Sequence, residues 1–143
     1  MKRRVIVDTG ILVAVLNKND RHHAWVVREL TQIEPPLLTC DAVISETCFL
    51  ARNYAKQDIL FKWLEQGTIK PVFQLADNIQ AVRSLMVKYV NVPMSFADAC
   101  LVRMAEVYEG SSVFSVDTDF LIYRKHGNVA IPIICPVGSA WPE

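Results

Sequence analysis

No apolar run in this 143-residue chain is long enough to cross a bilayer. The one stretch that resembles a signal-peptide start, "MKRRVIVDTG", is interrupted by Asp8 before a usable hydrophobic region develops. A membrane or exported protein is therefore not expected, and the cytoplasm is the expected compartment. A C-x-x-C pair is also missing: Cys40, Cys48, Cys100 and Cys135 are widely spaced among apolar neighbours. That argues for reduced core residues and against a zinc or redox centre. Neither sign of charge is in excess, with 15 basic and 15 acidic side chains. Composition therefore neither supports nor excludes nucleic acid, because binding needs only a local basic patch. Repeats, low-complexity tracts and linkers are absent as well. The chain is 52% apolar, which excludes disorder. Its length suits a single domain over residues 1–143 that buries roughly two-thirds of its unfolded surface.

Strand and helix signals alternate along the chain. "RRVIV" is a β-branched run ending at Asp8, and "ILVAVLN" after Gly10 reads as a short buried helix. Asp20 is placed to cap a second helix through about Gln32, before "EPP" breaks the chain. "LLTC" reads as a strand, and the segment after it puts Val43, Ile44, Thr47, Leu50, Ala51 and Tyr54 on one helical stripe. A further helix is expected from Asp58 to Gln66, ended by Gly67, and "IKPVFQL" as a strand whose Pro71 suits only its start or a sheet edge. Residues 76–90 and 95–106 read as helices, "SVFSV" and "IPII" as strands, and Asp119 to about Lys125 as a short helix. The pattern predicts an α/β three-layer sandwich, a mostly parallel central sheet flanked by helices. Such sheets place ligands beyond the carboxyl ends of their strands.

Four acids stand out against that pattern. Asp8 and Asp117 each follow a strand-like run, so parallel strands bring them to one edge. Glu46, in "AVISETCFL", has Ala42, Val43, Phe49 and Leu50 three and four residues away, and Asp98 has Leu101 and Val102 in the same relation. Neither acid has a basic partner on its own helix. An ionised carboxylate beside apolar packing must be paired, hold a cation, or become protonated. If the four converge, a divalent cation is the simplest remedy, and hard oxygen donors at this density suit Mg²⁺ or Mn²⁺, one ion or two. Such ions activate water and stabilise the leaving oxygen in phosphodiester cleavage. Taken singly, each acid has a plainer reading as a turn or cap residue, which is how Asp20 and Asp41 are read, or as the partner of a cation from elsewhere in the fold, such as Arg52 or Arg103.

Four blocks in order, "VDTGILVAVLNKNDRHH", "AVISETCFLA", "PMSFADACLVRMAE" and "VFSVDTDFLIYR", resemble the PIN-domain ribonucleases, specifically their virulence-associated toxin branch (VapC-like). The resemblance covers nearly the whole chain. It implies a PIN-like fold and RNA hydrolysis with Mg²⁺ or Mn²⁺ held by Asp8, Glu46, Asp98 and Asp117. It also implies a homodimer and a small antitoxin that covers the groove. Asp119 fits the second acid of the last motif, assisting through water, with an N-cap of the short helix as its plainer reading. By the same resemblance, Thr9 or Ser115 would hold a metal-bound water, and Gly10 stands where Ser or Asn is frequent. His22 and His23 fit a histidine-containing segment, as helix-start or groove residues rather than ligands. Lys18, Arg21, Arg124 and Lys125 would flank the groove and hold RNA phosphates, or simply be solvated. The apolar excess of "ILFKWL" belongs in the core, or else faces the antitoxin or a second copy. The motifs name no RNA target.

Two other readings are open. "VFSVDTDFL" also resembles the D-x-D motif of haloacid-dehalogenase-type phosphatases, with Asp117 as nucleophile, although that motif normally comes early in the chain. A PIN-like module that binds RNA or protein without cutting is the non-enzymatic alternative.

Overall fold

The computed structural model describes residues 1–136, so residues 137–143 of the expected domain lie outside the described ones. Val5–Val7 form β1, and all three side chains are fully buried. A strand without a polar face belongs inside a sheet covered on both sides. β1 accordingly lies at the centre of five strands, between β2 (Leu37–Thr39) and β4 (Ser112–Phe114). β3 (Ile69–Pro71) and β7 (Ile133–Ile134) form the edges, and every pairing in this sheet is parallel. Pro71 sits on an edge strand, where its missing N–H costs no ladder hydrogen bond.

Helices carry the crossovers. α1 (Thr9–Leu16) follows β1 directly and packs on α2 (His23–Leu30), α3 (Asp41–Ala51) and α4 (Tyr54–Gln66). α5 (Ile79–Lys88) packs on α6 (Phe96–Val107), which lies against β1 and β4. The α6 sequence buries Ala97–Met104 nearly throughout, because the helix is packed between the sheet, α5 and α3. Also in the core, Trp25 of α2 meets Phe114 of β4 edge-on at 5.5 Å. The expected α/β architecture, with a mostly parallel sheet flanked by helices, is the one observed.

Local boundaries differ from the sequence reading in several places. Asp20 does not cap α2: its carboxylate accepts from the His22 backbone N–H at 2.8 Å and closes the preceding turn, so the helix starts at His23 and ends at Leu30. The stripe expected to run from Val43 to Tyr54 is cut at Arg52, whose φ of 49° ends α3. Asn53 then caps α4, accepting from the Lys56 N–H, which starts that helix at Tyr54 and leaves Leu50 and Tyr54 exposed. The "ILFKWL" segment divides, with Leu60 in the core and Ile59 and Phe61 half exposed. Residues 75–77 form a 3-10 turn ahead of α5 rather than part of it. Finally, the helix expected from Asp119 to Lys125 is only a 3-10 turn, Thr118–Leu121. Arg124–Lys125 instead form β5, paired antiparallel with β6 (Val129–Ala130).

Candidate active site

The register of β1 on β4 pairs Val7 with Phe114, so the residues that follow, Asp8 and Ser115, leave the sheet side by side. The Asp8 N–H still donates to the Phe114 carbonyl at 3.1 Å. Asp8 then caps α1, its Oδ1 accepting from the Thr9 N–H at 2.7 Å, while Ser115 Oγ donates to its Oδ2 at 2.7 Å. Ser115 is fully buried and also accepts from the Asp117 N–H at 2.9 Å. One hydroxyl thus ties the first acid to the backbone of the last.

Asp117 accepts from the Asp119 N–H at 2.9 Å, which makes Asp117 the cap of the 3-10 turn. Asp119 therefore does not have the N-cap role that was its plainer reading. Asp98 reaches the same place from α6. Ser95 caps that helix by accepting from the Asp98 N–H at 3.0 Å, setting Asp98 in the first turn. An acid there complements the positive end of the helix dipole. Its carboxylate meets those of Asp117 and Asp119, with one oxygen from each of the three lying within 4.8 Å of the others.

Asp8 and Glu46 stand outside that trio. Glu46 is exposed; of the apolar neighbours that made it look anomalous, Phe49 and Leu50 are exposed too, whereas Ala42 is half-buried and Val43 fully buried. Its link to the site runs through Thr9, whose hydroxyl donates to Glu46 Oε1 at 3.3 Å. Thr9 and Ser115 were expected beside a metal-bound water; both are seen bonded to carboxylates.

The charges are held under strain. Burial, followed by the charges of Asp98 and Asp117, pushes Asp8 up to about 7, against the hydrogen bonds of Ser115 and Thr9. Burial, then Asp117, raises Asp98 above the usual carboxylate range, opposed by the hydrogen bond from Tyr123. Asp119 is raised by burial and by Asp117. Among the described residues, none of the five acids forms an ion pair with a lysine, arginine or histidine. A cluster of hard oxygen donors without a protein cation fits a divalent ion such as Mg²⁺ or Mn²⁺. Asp98, Asp117 and Asp119 are the residues grouped to hold one.

The expected RNA-binding cations are dispersed. Lys18 and Arg21 are exposed in the turn between α1 and α2, and Lys125 is half buried in β5. Arg124 donates from Nη1 to the carbonyls of Leu121, Tyr123 and, more weakly, Ile122, so its guanidinium closes the end of the 3-10 turn. His22 and His23 stand at the start of α2, as expected, with His23 Nδ1 2.6 Å from the Ala14 carbonyl oxygen. Gly10 has a structural reason: a Cβ there would lie 2.8 Å from Val116 Cγ2, so α1 can start this close to the loop after β4 only without a side chain.

Sequence reasoning missed Tyr123. It is fully buried, and its hydroxyl donates to Asp98 Oδ2 at 2.8 Å. Burial and that bond push its own phenol up, so it stays a neutral donor. Nothing in "FLIYR" marks it beyond an apolar ring near the end of an acidic motif.

Compared with known families, the chain matches a model described as PIN domain over residues 5–125. No curated protein matches the chain.

Proposed function

This chain belongs to the PIN-domain family, and from that premise we propose that it is a Mg²⁺- or Mn²⁺-dependent endoribonuclease, the toxin of a toxin-antitoxin pair. The observation that carries the reading is the trio Asp98, Asp117 and Asp119, with oxygens within 4.8 Å of one another and no protein cation among the described residues to neutralise them. A bound divalent ion supplies Lewis acidity toward a phosphoryl oxygen and a water of lowered pKa. Asp98, Asp117 and Asp119 hold that ion, and Asp8 completes the acidic floor behind them. Glu46, on the rim, adds a solvent-accessible carboxylate on the side of α1. Ser115 and Thr9 orient Asp8 and Glu46 through their hydroxyls. The phosphodiester is hydrolysed to a 5′-phosphate and a 3′-hydroxyl.

The partners follow from the same reading. An RNA strand is the substrate, held in part by Lys18, Arg21 and Lys125. A small antitoxin silences the enzyme, and the half-exposed Ile59 and Phe61 of α4 offer apolar surface to it or to a second copy in a homodimer. The cytoplasm, where RNA and antitoxin meet, is the compartment; among the described residues no helix is long and apolar enough to cross a membrane.

The test is cleavage of end-labelled RNA by antitoxin-free protein, with Mn²⁺, with Mg²⁺ and with chelator, beside Asp98→Asn. Cleavage that needs metal and is lost in the variant is expected. Intact RNA under every metal condition, from folded protein, would favour the silent binding module. Phosphate trapped covalently on Asp117 would favour the phosphatase.

A further inference from the structure

Asp98 is a buried acid in the first turn of α6, and its carboxylate takes a hydrogen bond from outside that helix. Tyr123 donates to Oδ2 at 2.8 Å. Tyrosine is a long lever, and its value as an orienting group depends on how firmly the ring is held. Here it is held on two sides. Tyr89, from the end of α5, meets the Tyr123 ring edge-on at 5.1 Å and 68°. Phe120, from the 3-10 turn, meets it at 5.3 Å and 90°. Tyr89 is itself pinned, its hydroxyl accepting from the Arg124 N–H at 2.9 Å. All three rings are buried, with Tyr123 and Phe120 fully so. The brace thus joins α5, the 3-10 turn that carries Asp119, and the start of β5, and it ends in a single O–H aimed at Asp98.

We propose that Tyr123 is a positioning residue for the metal centre: its braced hydroxyl fixes the rotation of the Asp98 carboxylate, so that Asp98 meets Asp117 and Asp119 before any ion arrives. This rests on the metal-dependent reading above. With Oδ2 anchored, rotation about the Cβ–Cγ bond stops, and the direction of Oδ1 is set with it. Without the anchor, repulsion from Asp117 and Asp119 turns the carboxylate away, and an incoming ion must gather its own ligands. Hydrogen-bond partners that orient metal ligands commonly contribute about 10- to 100-fold in affinity.

Tyr123→Phe removes the hydroxyl and keeps the ring contacts. Mn²⁺ affinity is read by electron paramagnetic resonance of the free ion, together with the metal-free melting temperature and the kcat and KM of RNA cleavage. The expected result is a Mn²⁺ Kd raised about 10-fold or more, lower kcat at subsaturating Mn²⁺ with partial recovery at high Mn²⁺, and little change in KM. Tyr89→Phe, which keeps the ring against Tyr123 but loses the bond from the Arg124 N–H, loosens the brace without touching Asp98 and is expected to raise the Mn²⁺ Kd by less than Tyr123→Phe does. A purely structural hydroxyl would instead lower the melting temperature and leave the Kd of the folded protein unchanged. Wild-type affinity in folded Tyr123→Phe, or a failure of that variant to fold while Tyr89→Phe folds, would overturn the proposal. If the wild type itself binds no Mn²⁺, the metal-dependent reading fails first, and this inference falls with it.

Discussion

Replacing Asp8 with Asn is expected to make the metal-free protein more stable above neutral pH. The Asp8 carboxyl is raised from its ordinary 3.8 to about 7 in the folded chain. Because the folded pKa lies above the unfolded one, the folded state holds its proton more tightly. The stability that this proton confers is complete below pH 3.8 and is lost as pH rises through 7. A rise of that size corresponds to about 4 kcal/mol as the ceiling cost of ionising Asp8 in place. Asn is neutral throughout. It keeps an acceptor for the Thr9 N–H but gives up the charge-assisted bond from Ser115, and so recovers about half of that ceiling, roughly 2 kcal/mol. Urea unfolding in chelator at about pH 8.5 and about pH 5 measures it: Asp8→Asn gains near the first value and shows little or no gain near the second, at unchanged m. Added Mn²⁺ reverses the order at the higher pH, since only the wild type offers the extra charge. A destabilised variant at high pH, or a difference that does not change with pH, would refute the account of Asp8 as a buried, repelled acid.

The same shift predicts that apparent Mn²⁺ affinity of the wild type climbs with pH through about 7, as Asp8 gives up its proton, in fluorescence or calorimetric titrations. Gly10→Ala forces a Cβ to within 2.8 Å of Val116 Cγ2 and should cost about 1–3 kcal/mol in urea unfolding. Most of that loss should return in the double variant with Val116→Ala. Leu101→Ala empties a fully buried position on α6 and should cost about 2–5 kcal/mol, with the melting temperature falling before any loss of metal affinity per folded molecule.

The sheet and its acids were legible in the sequence because their signals are local. Val5–Val7 and Ser112–Phe114 are buried runs with an acid at or just past the end, and parallel pairing does the rest. The helix α6 was legible as well, expected over 95–106 and observed over Phe96–Val107. The β5–β6 hairpin was not. Its strands have two residues each, β6 is exposed, and the turn between them depends on positive φ at His126 and Gly127. The surroundings of Glu46 were only partly legible: Val43 is buried as the stripe implies, but Phe49 and Leu50 face solvent, because Arg52 turns left-handed and ends α3 before the stripe can close on a core. The division of the five acids into a trio, a buried member and a rim member depends on side-chain reach, which spacing along the chain does not encode. Tyr123 was invisible for the same reason.

Since β1 lies between β2 and β4, the acid at residue 8 and those at 98, 117 and 119 become neighbours only when β4 has paired with β1. While the ribosome is still extending the polypeptide toward residue 119, the emerged portion lacks part of the trio Asp98, Asp117 and Asp119 and so has no complete donor set. Assembly of the carboxylate cluster is thereby deferred to a late moment in synthesis.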